Sequence, residues 1–441
     1  MSVINNIAAS VSRGLGRIYK TSDVLDLVRR QPTWSVSKRR VGGSPCGPPR
    51  LEMEKCLIVS KVTRYEYEKN CHENSSEKEL ERILRLRGSD YDAMMRSHRE
   101  QKAFEEMVAK NLRSMGLKVE MASRMTYNED LIDWCDVVMP CGGDGTFLLA
   151  ASKVRDANKP VVGFNSAPHK SVGRLCLPTW CSNDVKGALQ ALKEGKFKWM
   201  RRSRIRTTVT GEPKLLDTIT PVDLHTMHHR RYPPMAEELD GAEMRPVNSN
   251  NGASATLATK VLPYLALNEV FIGESVTSRV SHLSLRVDAG RWSATKSSGL
   301  CVTTGTGSTS WHFSINCLRT HSVQQLMRIV AEELGVRVDA RLETARAVAE
   351  LYNRRLVFEP DSPWMAYSVR EYIAFEEWPA PRGLRARSRA AGVRVRSHCI
   401  DAGLVVDGSV SFPFNDGAEA LLEIHPEDAL MTVHMHDELP Y

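Results

Sequence analysis

A chain of 441 residues, 42% hydrophobic and 26% charged, has room for two or three domains with cores of their own. No apolar run approaches the roughly 20 residues that span a bilayer, so membrane insertion is not expected. The net charge of +7 is confined to residues 1–50, where nine Lys/Arg face only Asp23 and Asp26. The rest is balanced, which argues against a nucleic-acid partner.

Residues 1–50 carry no acid before Asp23, and Ile4, Ile7, Ala8, Val11, Leu15 and Ile18 can share one helical face. That is the composition of a mitochondrial transit peptide, here followed by the Gly/Pro linker Val41–Arg50; a basic tail is the alternative. Ten cysteines without a C-x-x-C pair suggest free thiols in a reducing compartment.

From Cys56-Leu57-Ile58-Val59 onward, strand and helix signals alternate. A capping box at Ser76–Glu79 opens a helix that stops at Gly88. Phe104, Met107, Val108, Leu112 and Met115 predict a second helix, with Gly116 beyond it. Strands are expected at 117–121, 136–139 and 160–164, and a helix over 182–193. This pattern predicts a parallel α/β layer over 51–199, with ligand at the carboxyl ends of its strands. After residue 200 the texture turns β-rich, and a second domain is expected over 200–425. Two interruptions are expected within it: a polar, mobile loop at 225–260 and a helical insertion at 320–356. Residues 426–441 read as a tail.

One stretch carries chemistry. Val137-Val138-Met139 leads into Pro140-Cys141-Gly142-Gly143-Asp144-Gly145-Thr146, and a helix-like run follows to Val154. Gly142, Gly143 and Gly145 suggest backbone angles forbidden to other residues, with N–H groups free to approach a phosphate at a helix start. A carboxylate in that setting, Asp144, is unfavourable unless it handles a proton or a metal. Histidines 225, 228, 229, 434 and 436 fall in loop and tail, so no dedicated metal site is expected. The arginines at 382, 385, 387, 389, 394 and 396 read as a solvated face or loop, with help in binding phosphates as the minority reading.

The G-G-D-G-T turn alone also suits diacylglycerol and sphingosine kinases. Together with Leu267-Asn268-Glu269-Val270 and Thr304-Gly305-Thr306-Gly307-Ser308-Thr309-Ser310-Trp311, in that order, the chain resembles NAD kinases. The mitochondrial branch is the nearest likeness, marked by Lys61–Glu66, Ala150–Val154, Leu175–Pro178, Leu267–Ser275 and Val405–Gly408. The resemblance implies an α/β nucleotide-binding domain plus a C-terminal β-sandwich, and transfer of the ATP γ-phosphate to the 2′-hydroxyl of NAD's adenosine ribose. ATP with Mg²⁺, NAD as substrate, a homodimer and the mitochondrial matrix are implied with it.

Carried over residue by residue, Asp144 is the general base or orienter for the attacking hydroxyl. Gly142, Gly143, Gly145 and Thr146 would cradle phosphates, with Asn165 contributing nearby. Asn268 and Glu269 would grip a ribose diol. Thr306, Gly307, Ser308, Thr309, Ser310 and Ser314 would meet the adenine end and phosphates, and Trp311 stands where most of the family has tyrosine. Two departures are visible: Ser297-Ser298 replace an acid expected near the nicotinamide, and Ala167 replaces an acid common in the mitochondrial branch. A lipid kinase and a silent NAD-binding protein are the alternatives.

Overall fold

The computed structural model describes residues 51, 53–225, 257–373 and 384–436. The leader at 1–50, most of the 225–260 loop and Arg382 therefore lie outside the described residues. Among those described, no helix is long and apolar enough to cross a membrane.

The first layer is a parallel sheet of β1 (Lys55–Ser60), β2 (Lys118–Ala122), β3 (Val137–Gly142) and β4 (Phe164–Asn165), in the order β2-β1-β3-β4. Cys56 and Ile58 of β1 join one hydrophobic cluster, Leu57 and Val59 another. Both faces are therefore covered, which is why β1 and β3 read as unbroken apolar runs rather than alternating ones. On one side lies α1 (Tyr91–Ser114), capped by the Asp90 carboxylate on the Ala93 N–H at 2.9 Å. It ends before Gly116, whose φ of +88° suits only glycine. On the other side lies α2 (Asp144–Lys153), with Phe147, Ala150 and Ala151 buried against the sheet.

The helix expected over 182–193 is two, Thr179–Asn183 and α3 (Val185–Lys193), because Asp184 leaves the helical region to cap the Gly187 N–H at 2.9 Å. Beyond it runs β5 (Lys198–Arg202).

Two antiparallel sheets follow. The six-stranded one runs Ser293–Ser297, Ser281–Val287, Gly392–Ser397, Glu419–Ile424, Ile205–Gly211, Ala258–Val261. The seven-stranded one has at its centre β6 (Glu269–Glu274), flanked by β7 (Leu300–Thr303) and β8 (Ala402–Val406). Leu283, Leu285, Val393, Val395 and Leu422 of the first sheet share one cluster with Val270, Ile272, Leu300, Val302, Leu404 and Phe412 of the second. That shared interior makes the two sheets a sandwich.

Two expectations are corrected. Ala258–Val261, placed in the polar loop, is a strand paired with Ile205–Gly211. The expected tail contains β9 (Leu430–His434), which pairs with β5 and so returns the chain to the α/β half. Leu430 packs among Leu57, Val138 and Phe147, and that burial draws an apolar strand out of what reads as polar sequence.

Thr320–Leu334 and Leu342–Arg354 form a helical hairpin within a separate compact unit. It closes on Val323, Ala345 and Ala349, and the Asn353 side chain bonds both the N–H and the C=O of Leu318 at 2.8 and 2.9 Å.

Most of the basic run over 385–396 lies on two strands of different sheets, Arg387–Ala390 in the seven-stranded one and Gly392–Ser397 in the six-stranded one. Arg396 stacks over Trp292 and bonds Glu419 at 2.7 Å, while Arg389 lies over Phe358. Arg385, Arg389 and Arg396 are exposed, in keeping with a solvated face.

Candidate active site

The glycine turn ends β3 and starts α2, with Gly143 at the cap and Asp144 in the first turn. The reason for the glycines differs from the sequence expectation. None of Gly142, Gly143 and Gly145 has a positive φ. Gly142 is required for space: a Cβ there would stand 2.3 Å from Thr146 Oγ1 and 3.0 Å from Lys61 Cβ. Gly145 is exposed with nothing within 4 Å, so it leaves room beside Asp144.

Asp144 is half-buried, and its carboxylate accepts from the Leu175 N–H at 2.8 Å and the Arg174 N–H at 3.2 Å. Two amides and a helix start hold the group in place while its remaining lone pairs stay open. Cys176 follows in the same loop; burial first, and then the Asp144 charge, pushes its thiol up to about 12. It is an inert neighbour, since only a thiolate is a nucleophile.

Sequence reading missed Arg202, at the end of β5. The side chain is buried and donates from Nη1 to Thr306 Oγ1 at 3.3 Å. Its Nε is buried with no hydrogen-bond partner among the described residues. Burial lowers its pKa to about 10, opposed by the nearby charge of Asp144, so it remains a cation at neutral pH. One side chain thus bonds the Thr306 turn of the sandwich half while feeling the charge of Asp144 in the α/β half. The only sequence signal is a strand, Lys198-Trp199-Met200-Arg201-Arg202, with an arginine on its inward side.

The Thr304–Ser310 turn lies against the Asn-Glu pair. Gly307 is forced here, since a Cβ would meet the Asn268 carbonyl oxygen and Thr303 Oγ1 at 2.1 and 2.4 Å. Thr304 Oγ1 donates to the Leu267 carbonyl at 2.6 Å and accepts from the Gly307 N–H at 3.1 Å. The Ser308 hydroxyl donates to the Gly305 carbonyl and accepts from the Phe358 N–H. Fully buried and engaged on both sides, Ser308 shapes the turn rather than facing a ligand. Thr309 and Ser314 also bond backward, to the Thr306 and Ser310 carbonyls at 3.3 and 3.4 Å. Ser310 Oγ accepts from Asn268 Nδ2 at 3.2 Å. Trp311 is exposed at its edge and packs on Phe271 at 4.7 Å between ring centres, so an aromatic wall stands at this end of the site.

Asn268 and Glu269 are both buried, yet Asn268 Oδ1 and Glu269 Oε2 have no hydrogen-bond partner among the described residues. Buried oxygens left open in this way are costly unless something else satisfies them. A diol would. Burial, and then Asp407, pushes the Glu269 carboxyl up to about 8. Asn165 is different: its Nδ2 donates to the Ser171 carbonyl at 2.9 Å and its Oδ1 accepts from the Ala167 N–H at 3.1 Å. Both ends of that amide brace the 165–171 loop.

Hydrogen bonds thus join Arg202 to Thr306 and Asn268 to Ser310, Gly307 lies against the Asn268 carbonyl, and Arg202 feels the charge of Asp144. Among the described residues, no group of three or more His, Cys, Asp or Glu stands ready for a metal.

No protein-family model matches the chain. Among solved structures, an NAD kinase from Archaeoglobus fulgidus in complex with ATP aligns 87% of this chain with 94% of its own, at 16% identity and a TM-score of 0.44. Mitochondrial NAD kinase 2 of Rattus norvegicus is 38% identical over 400 residues, spanning 89% of this chain and 90% of that protein. The Homo sapiens protein of the same name is 38% identical over 379 residues, spanning 86% and 83%. At that identity, over nearly the full length of both partners, the chain belongs to the NAD kinase family, in its mitochondrial branch.

Proposed function

We propose that this chain transfers the γ-phosphate of ATP to the 2′-hydroxyl of the adenosine ribose of NAD, producing NADP. The observation that carries the reading is a pair of buried oxygens with no partner among the described residues, Asn268 Oδ1 and Glu269 Oε2, set against the turn to which Arg202, in the field of Asp144, is hydrogen-bonded.

Asn268 and Glu269 hold a ribose diol, whose hydroxyls supply the donors and acceptors that the pair lacks. Asp144 takes, or orients, the proton of the attacking hydroxyl as the oxygen approaches phosphorus. The Gly142–Thr146 turn brings main-chain N–H groups and a helix start to the phosphates, and Arg202 supplies fixed positive charge behind it. The open space at Gly145 and the aromatic edge of Trp311 bound the substrate on either side. Asn165 and Ser308 shape their loops. Mg²⁺ enters as the companion of the ATP phosphates, because Asp144 alone forms no protein cage for it.

The relatives are named mitochondrial, and the chain acts in mitochondria. The matrix as compartment, residues 1–50 as the targeting segment and a homodimer complete the reading; the leader's composition supports the first two, and family likeness the third.

The test is direct. The full chain with ATP, Mg²⁺ and NAD should yield NADP in an NADP-specific assay. Failure to form NADP, with phosphate appearing on diacylglycerol instead, would overturn the proposal.

A further inference from the structure

Asp407 sits in a turn of Val406, Asp407, Gly408 and Ser409 that ends β8. Its φ is +47°, a left-handed conformation unfavourable for a residue with a side chain, and Gly408 follows at +64°. A turn alone would be served as well by asparagine or glycine. The carboxylate does something further. Its Oδ2 accepts from the Leu267 N–H at 2.8 Å, and its Oδ1 accepts from the Asn268 and Glu269 N–H groups at 2.8 and 3.0 Å. Its own N–H donates to the Glu269 carbonyl at 3.0 Å. Three consecutive amides, those of the ribose-binding pair and the residue before it, thus converge on one buried carboxylate. Neither neutral replacement could accept from all three.

The segment needs such a hold. Leu267 packs into the α/β core among Leu57, Val138 and Phe147, whereas Val270 packs into the sandwich core. Asn268 and Glu269 therefore lie where the chain crosses from one core to the other. We propose that Asp407 is the positioning residue of the Asn268–Glu269 pair, its carboxylate fixing the 267–269 backbone so that both unpartnered side-chain oxygens face the ligand. The ligand's identity rests on the NAD kinase reading; the clamp does not.

An electrostatic consequence follows. The titratable groups facing Glu269 are Asp407, at the end of β8, and Cys301 on β7, while Arg204 offsets the charge of Asp407. Burial raises Asp407 to about 6, against its three amides and Arg204. Glu269, with no amide on its carboxyl, is pushed further, to about 8. At neutral pH the charge resides on Asp407 and the proton on Glu269. Glu269 then donates O–H to a ribose oxygen while Asn268 Oδ1 accepts from a ribose hydroxyl.

Two measurements on the full chain test this. In the ligand-free protein, Asp407→Asn should speed amide hydrogen exchange within 267–269 by at least about tenfold, because the amide keeps one acceptor oxygen and turns an NH2 donor on the third N–H. Unchanged exchange overturns the clamp, whatever the protein binds. In the wild type, NAD affinity should be highest near pH 7, where Asp407 is charged and Glu269 protonated, and then fall, approaching about tenfold per pH unit well above 8. In Asp407→Asn the fall should begin at lower pH, with the KM for NAD raised and that for ATP within about twofold. If Asp407→Asn does not fold, Glu269→Gln still tests the protonated Glu269, since it should abolish the pH break. Wild-type affinity that is flat to pH 9, or rises with pH, overturns the coupling. A wild type that makes no NADP, yet shows the exchange effect, sinks only the NAD kinase reading.

Discussion

The two acids of the site are handled in opposite ways. Asp144 is half-exposed, begins a helix and accepts two backbone amides. Glu269 is buried, begins a strand and has an oxygen with no partner. A group that must exchange a proton needs ordinary solvation and open lone pairs. A group that must recognise needs desolvation and an unmet bond, so that the correct ligand alone relieves it. The parallel layer provides the first at a helix start, and the sandwich provides the second at a seam between cores.

Four changes break or sharpen that contrast. Asp144→Asn should lower kcat by roughly 10²–10⁴-fold, the usual worth of a positioned acid–base group, with the Kd for NAD within about threefold by calorimetry. An equal loss of binding would mean that Asp144 positions rather than reacts. Gly307→Ala drives a methyl into the Asn268 carbonyl and should cost about 3 kcal/mol in denaturant unfolding, raising the KM for NAD as well. Arg202→Met removes a buried cation whose Nε has no partner, so kcat should fall about tenfold while Tm holds or rises. A fall in Tm with unchanged kcat would make Arg202 a structural tie.

The fourth change is read in the pH dependence of stability. The folded pKa of Glu269 lies above its unfolded value. Its contribution to stability is therefore complete below about pH 4.5 and is lost as pH rises towards 8. Glu269→Gln should flatten that part of the Tm-against-pH curve. An unchanged slope would place the titration elsewhere.

The chemistry-bearing turns were legible because each is contiguous. Glycines beside an acid, an Asn-Glu pair and a run of small hydroxyl residues announce themselves within ten residues. Their internal roles were not: Ser308 looks like a ligand contact, and its two hydrogen bonds make it a brace. Arg202 acts on Thr306 across 104 positions, and nothing local distinguishes it from Arg201 beside it. Asp407 reads as half of an Asp-Gly turn, and only the fold reveals the amides above it. A strand is legible where a continuous apolar run is buried on both faces, as in β1, and was missed where the run is flanked by polar residues, as in Ala258–Val261 and β9.

The returning strand β9 has a consequence for how the protein comes into being. Met431 gives its carbonyl to the Val161 N–H, Leu430 plugs the cluster around Leu57, and Met435 seals the opposite cluster around Ile58. During synthesis the α/β layer emerges from the ribosome first, but its pieces from 430 onward emerge last. The older half must wait, incomplete, through the making of the whole sandwich. A nascent chain halted before residue 430 would leave both faces of the layer unsealed and hand it to chaperones or proteases.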